Sequence, residues 1–176
     1  MATIDLIVLG MLKKESLSAY DIQKLVEYRK VSEWVKISTP SIYKKVIQLE
    51  GKGLIKGRIT KEGKMPDKAV YSLTKAGEKE FEKLMMEITQ KPVNIFLDFN
   101  AVIVNLPELP KSKQKKCIAG IEQNIRAMKA SVQENLQIKK ENPEISAIAV
   151  TVLHQQLALA QALEKWIAEL KKDIVK

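Results

Sequence analysis

A short segment near residue 45 carries hydrogen-bonding and positively charged groups on one side of a predicted helix. Its apolar residues, Ile42, Val46 and Leu49, recur at spacings of four and three, which predicts an amphipathic helix over residues 39–50. The opposite face then presents hydroxyl, ammonium and amide groups, from Ser41, Lys44, Lys45 and Gln48. Such groups can contact base edges in a DNA major groove and the phosphates beside it. A lysine-rich surface helix of an ordinary domain is the alternative that this segment alone leaves open.

The ends of this helix are also marked in the sequence. Thr39 is the predicted N-cap, and Pro40 suits the first helical position, where its missing N–H costs nothing. A glycine pair, Gly51 and Gly53, would end the helix. Tyr43 lies beside the apolar face, where it either contacts a phosphate or braces the helix as a partly buried aromatic. We expect phosphate contacts from the lysines and base contacts from Ser41, Gln48 or Lys44.

The apolar pattern changes from helix to strand after Gly53. Residues 54–60 alternate, with Ile55 and Ile59 on the face that would pack on the helices, and residues 68–73 return as the second strand of a hairpin. Basic side chains are predicted on its outer face and in its turn, at Lys56, Arg58, Lys61 and Lys64. Nine basic and three acidic residues lie between positions 36 and 68, so the positive charge is concentrated around the predicted helix.

The first 90 residues combine this hairpin with four predicted helices. An apolar helix covers residues 4–12, and Ser18 begins a second helix with Asp21 as its capping-box partner. Thr74 caps another helix after the hairpin. This order is that of a winged helix-turn-helix, whose third helix enters a major groove while the hairpin forms the wing. The predicted fold class is mainly α with a small β-hairpin, and residues 1–90 would be the DNA-binding domain.

Residues 91–176 are predicted to form a second, helical domain with a role in dimerisation. Prolines divide it into helices over residues 93–106, 111–142 and 144–175. The two long helices can cover each other but not also the nearly all-apolar first one, so we expect a symmetric homodimer. A monomer whose helices fold back on the winged domain is the alternative. The predicted dimer residues are Ile121, Ile125, Met128, Leu153, Leu157, Leu163, Trp166, Ile167 and Leu170.

Few other residues have types and spacings that carry chemistry. His154 has no Cys or carboxylate partner at metal-ligand spacing, so no metal site is predicted. Cys117 follows two lysines and is either a redox-sensitive thiol or a passive one on a helix face. Trp34 and Trp166 would either line a cavity for a small effector or anchor the core. Without a glycine-rich phosphate loop, a nucleophile elbow or a triad, the sequence predicts neither an enzyme nor a cofactor.

The overall composition is basic, which raises attraction to nucleic acid but could equally serve solubility or binding to an anionic membrane surface. Lysine and arginine number 30 against 21 acidic residues, which gives a formal net charge of +9. The single cysteine excludes an intrachain disulfide, and no secretory signal is recognised, so a cytoplasmic protein is expected. The apolar run at residues 93–106 is too short and too rich in Asn and Asp to cross a bilayer, so no membrane partner is expected.

Three motifs in the first 90 residues resemble those of the PadR-like family of transcriptional regulators. The first is Leu17-Ser18-Ala19-Tyr20-Asp21-Ile22, in which Ser18-Ala19 stands where many members have His-Gly. The second is the segment from Ser41 to Ile55, and the third is Tyr71-Ser72-Leu73-Thr74-Lys75-Ala76-Gly77. The remaining residues resemble, by layout, the subgroup whose long C-terminal helices pack across a dimer. Some members of the family respond to phenolic acids or hydrophobic drugs.

The motifs and the resemblance together predict a homodimeric, sequence-specific DNA-binding transcriptional regulator, of the repressor type. Its expected partners are double-stranded DNA with a pseudo-palindromic operator, a second copy of the chain and a small hydrophobic or aromatic effector. The alternative is a winged-helix module that binds another protein, in which case the basic face would be incidental.

Overall fold

The computed structural model describes residues 2–60, 68–140, 145 and 147–175. The chain divides into two compact units, Met1–Val93 and Asn94–Lys176. Over the described residues, the first unit combines four α-helices with a three-stranded antiparallel sheet, and the second contains three α-helices. The predicted fold class, mainly α with a winged helix-turn-helix, is confirmed, although the sheet has one strand more than the predicted hairpin.

The first unit is built around four helices: α1 (Ala2–Leu12), α2 (Ala19–Tyr28), α3 (Ser41–Gly51) and α4 (Lys75–Thr89). Helix α2 begins with the predicted capping box, because Ser18 Oγ accepts from the Asp21 N–H and the Asp21 carboxylate accepts from the Ser18 N–H. This pair satisfies two N–H groups that a helix start leaves without partners. Helix α1 packs against α3 and α4, and α2 packs against α3. The shared core includes Val8, Leu9, Ile22, Val26, Ile42, Val46, Leu49, Ile55 and Leu84.

The sheet consists of β1 (Leu17–Ser18), β2 (Ile55–Thr60) and β3 (Lys68–Leu73), in the spatial order β1-β3-β2. Strands β2 and β3 form the predicted antiparallel hairpin, in which Gly57 is opposite Tyr71. Strand β1 pairs with the other edge of β3. The sequence does not predict β1, because two residues cannot produce an alternating pattern.

One prediction for the hairpin is wrong. The alternation placed Ile55 and Ile59 together on the core face, and Ile55 is indeed 2% exposed. Ile59, in contrast, is 73% exposed, opposite Ala69 near the turn end of the hairpin. The helices cover only the base of the hairpin, where Leu73 also packs on the core. Alternation determines which face a residue occupies, but whether that face is covered depends on the length of the neighbouring helices.

A tight corner joins the end of α3, the sheet and the start of α4. The Thr74 hydroxyl donates to the Gly53 carbonyl at 2.7 Å and accepts from the Gly77 N–H at 3.1 Å as the N-cap of α4. A Cβ at Gly77 would lie 2.0 Å from the Leu54 carbonyl oxygen, so a larger residue cannot fit. Gly53 has φ +69, the left-handed conformation that lets the chain leave α3. This geometry explains the spacing of threonine and glycine in the third motif.

The second unit contains α5 (Phe99–Asn105), α6 (Lys111–Lys140) and α7 (Ala147–Val175). The prediction of a buried helix over residues 93–106 is wrong in two respects. Residues 93–97 are not helical, and Val93 and Phe96 are 90% and 86% exposed. Val93 and Ile95 are β-branched, and Asn94 competes for backbone hydrogen bonds, so the local sequence disfavours a helix before Phe99. The predicted ends at residues 142 and 144 lie outside the described residues.

Helices α6 and α7 form an antiparallel pair. Lys129 bonds Glu164 at 2.5 Å, and Lys171 bonds Glu122 at 2.6 Å, so residue numbers rise along one helix as they fall along the other. Hydrogen bonding to Lys171 lowers the pKa of Glu122. The apolar cluster between these helices and α5 is formed by Leu106, Ile118, Ile121, Ile125 and Ile167, with Phe99, Leu163, Trp166 and Leu170 packed against it.

Candidate nucleic-acid interface

One face of α3 is exposed and carries groups of the kinds that contact DNA. The core side of the helix holds Ile42, Val46 and Leu49, each 0% exposed. The opposite side presents an aromatic, a cation, an aliphatic and an amide side chain, from Tyr43, Lys44, Ile47 and Gln48. Within the part of the chain that the structure describes, the Lys44 ammonium forms no ion pair. Its charge is therefore available to a phosphate.

Lys45 does not belong to this outer face, which corrects the prediction that it contacts DNA. The residue is 8% exposed, and its ammonium lies 2.7 Å from Asp5 in the first turn of α1. Position 45 is three residues after Ile42 and four before Leu49, so helical geometry turns it toward the core. The ion pair with Asp5 compensates the charge of Lys45 inside the protein and connects α3 to α1.

The start of α3 also differs from its prediction. Helix α3 begins at Ser41, its N-cap is Pro40, and no side chain caps it. Thr39 therefore does not act as the N-cap. The N–H groups of Ser41 and Ile42 are instead bonded to the carbonyls of Ser38 and Thr39, because Pro40 already has helical dihedral angles. The Ser41 hydroxyl donates to the Ser38 carbonyl, so this side chain stabilises the turn before the helix.

The hairpin supplies a second set of exposed cations. Lys56 and Arg58 are exposed on β2, and neither forms an ion pair with a described residue. Both point to the face that the alternation predicts for them. Lys61 and Lys64, which were predicted in the turn, lie outside the described residues. The described part of the hairpin thus provides two unpaired positive charges close in sequence to α3.

The turn end of strand β3 is tied to α2 by an ion pair between Lys68 and Asp21. The Lys68 ammonium lies 2.8 Å from one oxygen of the carboxylate. Burial by itself raises the pKa of Asp21, but the hydrogen bonds from Lys68 and Ser18 outweigh it, with the Lys68 charge adding to them, and the pKa is lowered. Asp21, the capping-box partner at the start of α2, therefore also binds Lys68, the first residue of β3.

Comparison with known proteins shows which proteins the chain is similar to. The PadR of Bacillus subtilis in complex with operator DNA is 20% identical, with a TM-score of 0.84 over 98% of this chain and 99% of that one. The PadR-like transcriptional regulator BC1756 from Bacillus cereus is 25% identical, with a TM-score of 0.72 over 99% and 96%. The model of the transcriptional regulator PadR-like family matches residues 8–83, which run from α1 into α4. The match to the PadR-like family is therefore carried by the first unit, and over the rest of the chain the likeness to these structures is one of fold.

Other solved structures extend this comparison. The Vibrio cholerae virulence activator AphA is 19% identical, with a TM-score of 0.70 over 97% of each chain. The same Bacillus subtilis PadR was also solved with p-coumaric acid, at 19% identity and a TM-score of 0.79 over 98% of this chain and 96% of that one. No curated protein sequence matches this chain significantly. The matching family model describes transcriptional regulators, which agrees with the prediction that the chain is not an enzyme.

An exposed aliphatic residue on α3 is a functional candidate that the sequence did not reveal. Ile47 follows Val46 beside the apolar face of the predicted helix, and in the structure it is 67% exposed, on the same side as Lys44 and Gln48. An aliphatic group there can contact the methyl group of thymine. The sequence signal for this exposure is the position of residue 47, which lies on the helix next to Lys44 and Gln48 of the polar face.

The residues predicted at the dimer interface are mostly covered by the chain's own helices. Ile121, Ile125, Leu153 and Ile167 are 8%, 4%, 7% and 1% exposed, which corrects the expectation that they face a partner. The seam is used within the chain because α6 and α7 are antiparallel neighbours. Leu163, Trp166 and Leu170 pack against the same cluster, Leu157 is partly buried, and Met128 is 41% exposed.

The two tryptophans predicted near an effector belong to different units. Trp34 is 42% exposed, and its Nε1 donates to the Arg29 carbonyl at 3.5 Å. Trp166 stacks on Phe99 with ring centroids 5.5 Å apart. Each therefore has a structural role in its own unit.

The remaining candidates carry no visible chemistry. Cys117 is partly buried and packs against the cluster of α5, α6 and α7. His154 is exposed on α7. The described residues contain no group of His, Cys, Asp and Glu side chains that could hold a metal ion. None of the helices in the described residues is long and apolar enough to cross a membrane.

Proposed function

We propose that the chain is a PadR-like regulator, a homodimeric repressor that binds a pseudo-palindromic operator. One observation carries the proposal: α3 presents Tyr43, Lys44, Ile47 and Gln48 on a single exposed face, next to a hairpin with exposed basic residues. Gln48 can pair with adenine, Ile47 can contact thymine, and Lys44 can neutralise a phosphate. Secondary candidates for contacts with the DNA backbone are Thr39, Ser41, Lys61 and Lys64. The Bacillus subtilis PadR, which has the same fold, was solved in complex with operator DNA, and this supports DNA binding by the chain.

Dimerisation is proposed from the apolar surface at the start of the second unit. Ile95, Phe96 and Val104 are 61%, 86% and 75% exposed on the single chain. Exposed apolar groups clustered over so short a segment are typical of a protein interface. A two-fold dimer would place two α3 helices on half-sites about 10 base pairs apart, and occupancy of that site would block transcription. A DNA-binding regulator of this kind would act in the cytoplasm.

A small aromatic effector is proposed as a third partner, because p-coumaric acid was bound by the Bacillus subtilis PadR. An effector that binds one conformation preferentially would change the population of the DNA-binding state. Titration of the protein with phenolic acids, followed by tryptophan fluorescence in Trp34→Phe and Trp166→Phe variants, would show which tryptophan senses the ligand. Binding without any change in DNA affinity would contradict an effector role.

The DNA-binding proposal is tested on a duplex selected from a random library by the protein. Fluorescence anisotropy at several salt concentrations gives the affinity and its salt dependence. We expect steep salt dependence, and we expect Lys44→Ala to weaken binding about threefold to tenfold and to reduce the slope by about 0.9, the value for one phosphate. Lys165→Ala, which removes an exposed charge from α7, is the matched control and should bind as the wild type does. Weak binding with no selected sequence would favour the protein-interaction alternative.

A further inference from the structure

The last turn of α3 is connected to the wing by one side chain. Glu50 Oε1 accepts a hydrogen bond from the backbone N–H of Gly57, in β2, at 2.8 Å. Strand β2 lies at the edge of the sheet, where outward N–H groups have no neighbouring strand to bond. The carboxylate therefore acts as the acceptor that a further strand would otherwise supply, and it ties the DNA-facing helix to the hairpin.

The residues around this hydrogen bond leave room for the carboxylate. A Cβ at Gly57 would lie 2.6 Å from Glu50 Oε1 and 3.0 Å from Cε1 of Tyr71, so a side chain at residue 57 would displace the carboxylate. Tyr71 is opposite Gly57 in the β2–β3 pair. Burial raises the pKa of the Tyr71 hydroxyl, and the negative charge of Glu50 raises it further. Glutamate, glycine and tyrosine thus form one contact group at the base of the wing.

The charge of Glu50 is unfavourable for an electrostatic contribution to DNA binding. The residue is exposed at the end of a helix that carries Lys44, and a carboxylate near phosphates is repelled. Its hydrogen bond is also exposed, so its contribution to folding stability is small. A favourable contribution of Glu50 to DNA binding must therefore come from geometry, through the contact with Gly57.

We propose that Glu50 is a positioning residue that fixes the spacing between α3 and the wing, so that both reach the DNA together. The inference rests on the proposed DNA-binding function and adds a residue that determines how its two elements cooperate. Loss of the hydrogen bond leaves α3 and the hairpin folded, but the wing is then free to shift relative to α3. Phosphate contacts from Lys56 and Arg58 are weakened as a result.

Three variants separate this role from a general effect of charge. Glu50→Ala removes the acceptor, Gly57→Ala displaces it, and Glu50→Gln removes the charge but keeps a carbonyl oxygen. On the selected duplex, we expect Glu50→Ala and Gly57→Ala each to bind about fivefold more weakly, and Glu50→Gln to bind within about twofold of the wild type. The combination of Glu50→Ala with Gly57→Ala should be no weaker than either variant alone, because both remove the same contact.

A purely electrostatic role predicts the opposite pattern, with tighter binding by both Glu50→Ala and Glu50→Gln. That result, or unchanged binding by Glu50→Ala, would overturn the proposal.

Two readouts need no DNA. Amide hydrogen exchange at Gly57 should become faster in Glu50→Ala and stay slow in Glu50→Gln. The pKa of Tyr71, assigned by comparison with Tyr71→Phe, should fall in both. If the wild type selects no duplex, the proposed function fails, while unchanged Gly57 exchange in Glu50→Ala would independently overturn the role of Glu50.

Discussion

The ion pair between Asp5 and Lys45 provides a quantitative test of how α3 is held. At 2.7 Å and an effective dielectric constant of about 20, the Coulomb attraction is about 6 kcal/mol. Desolvation of the two ions costs several kcal/mol each, because their side chains are only 15% and 10% exposed. The net contribution of the pair is therefore small, but removal of one partner leaves a charge without compensation.

We accordingly expect Asp5→Leu and Lys45→Met each to lower the free energy of unfolding by about 3 kcal/mol, measured by urea denaturation at a fixed protein concentration. The double variant should recover most of this loss, since two apolar side chains replace the pair. It should also bind the selected duplex with the wild-type salt slope, because Lys45 is turned away from the outer face of α3. If each single variant lost less than about 0.5 kcal/mol of unfolding free energy, and the two losses added in the double variant, the two residues would not form a buried, coupled ion pair. A slope lowered by about 0.9 in the double variant would show that Lys45 does contact a phosphate.

Three further predictions concern the corner, the ion pair between Asp21 and Lys68, and the proposed dimer. Gly77→Ala should lower the free energy of unfolding by about 2 to 3 kcal/mol, because the added Cβ would overlap the Leu54 carbonyl. Gly51→Ala, whose Cβ would meet open space, is the neutral control, and equal losses of the two variants in urea denaturation would contradict the prediction. Because the pKa of Asp21 is lowered in the folded state, the ionised carboxylate stabilises the protein above the unfolded value of 3.8, and this stabilisation is lost as the pH falls through the folded pKa. The wild type should therefore lose more stability than Asp21→Asn between roughly pH 5 and pH 3. Equal losses in the two proteins would argue against a stabilising Asp21 carboxylate. Phe96→Glu should convert a dimer into a monomer in light scattering, and Gln133→Glu should not; a dimer retained in both would exclude this surface.

Local sequence patterns were sufficient to predict the features that depend on neighbouring residues. The capping box of Ser18 and Asp21, the hairpin and the N-cap at Thr74 each depend on residues within a few positions, and each occurs as predicted. Helix and strand periods also gave the order of elements in the first unit. The short strand β1 lacked any such pattern and formed only because β3 offered a free edge.

The errors at the candidate site arise where residue type was given more weight than position. Lys45 was assigned to the DNA-facing side of α3 because it is charged, but the helical positions of Ile42, Val46 and Leu49 place it on the core face. The buried cation requires Asp5, which is 40 residues away, and no local pattern reveals such a partner.

The most direct test of the DNA-binding face is cleavage of DNA by a reagent attached to α3. An iron chelate coupled to Gln48→Cys, in a Cys117→Ser background, should cut the selected duplex in the major groove at two positions about 10 base pairs apart. The same reagent on Lys165→Cys should give no localised cuts. Cleavage by neither protein, or equal cleavage along the whole duplex by both, would contradict the claim that α3 reads paired half-sites.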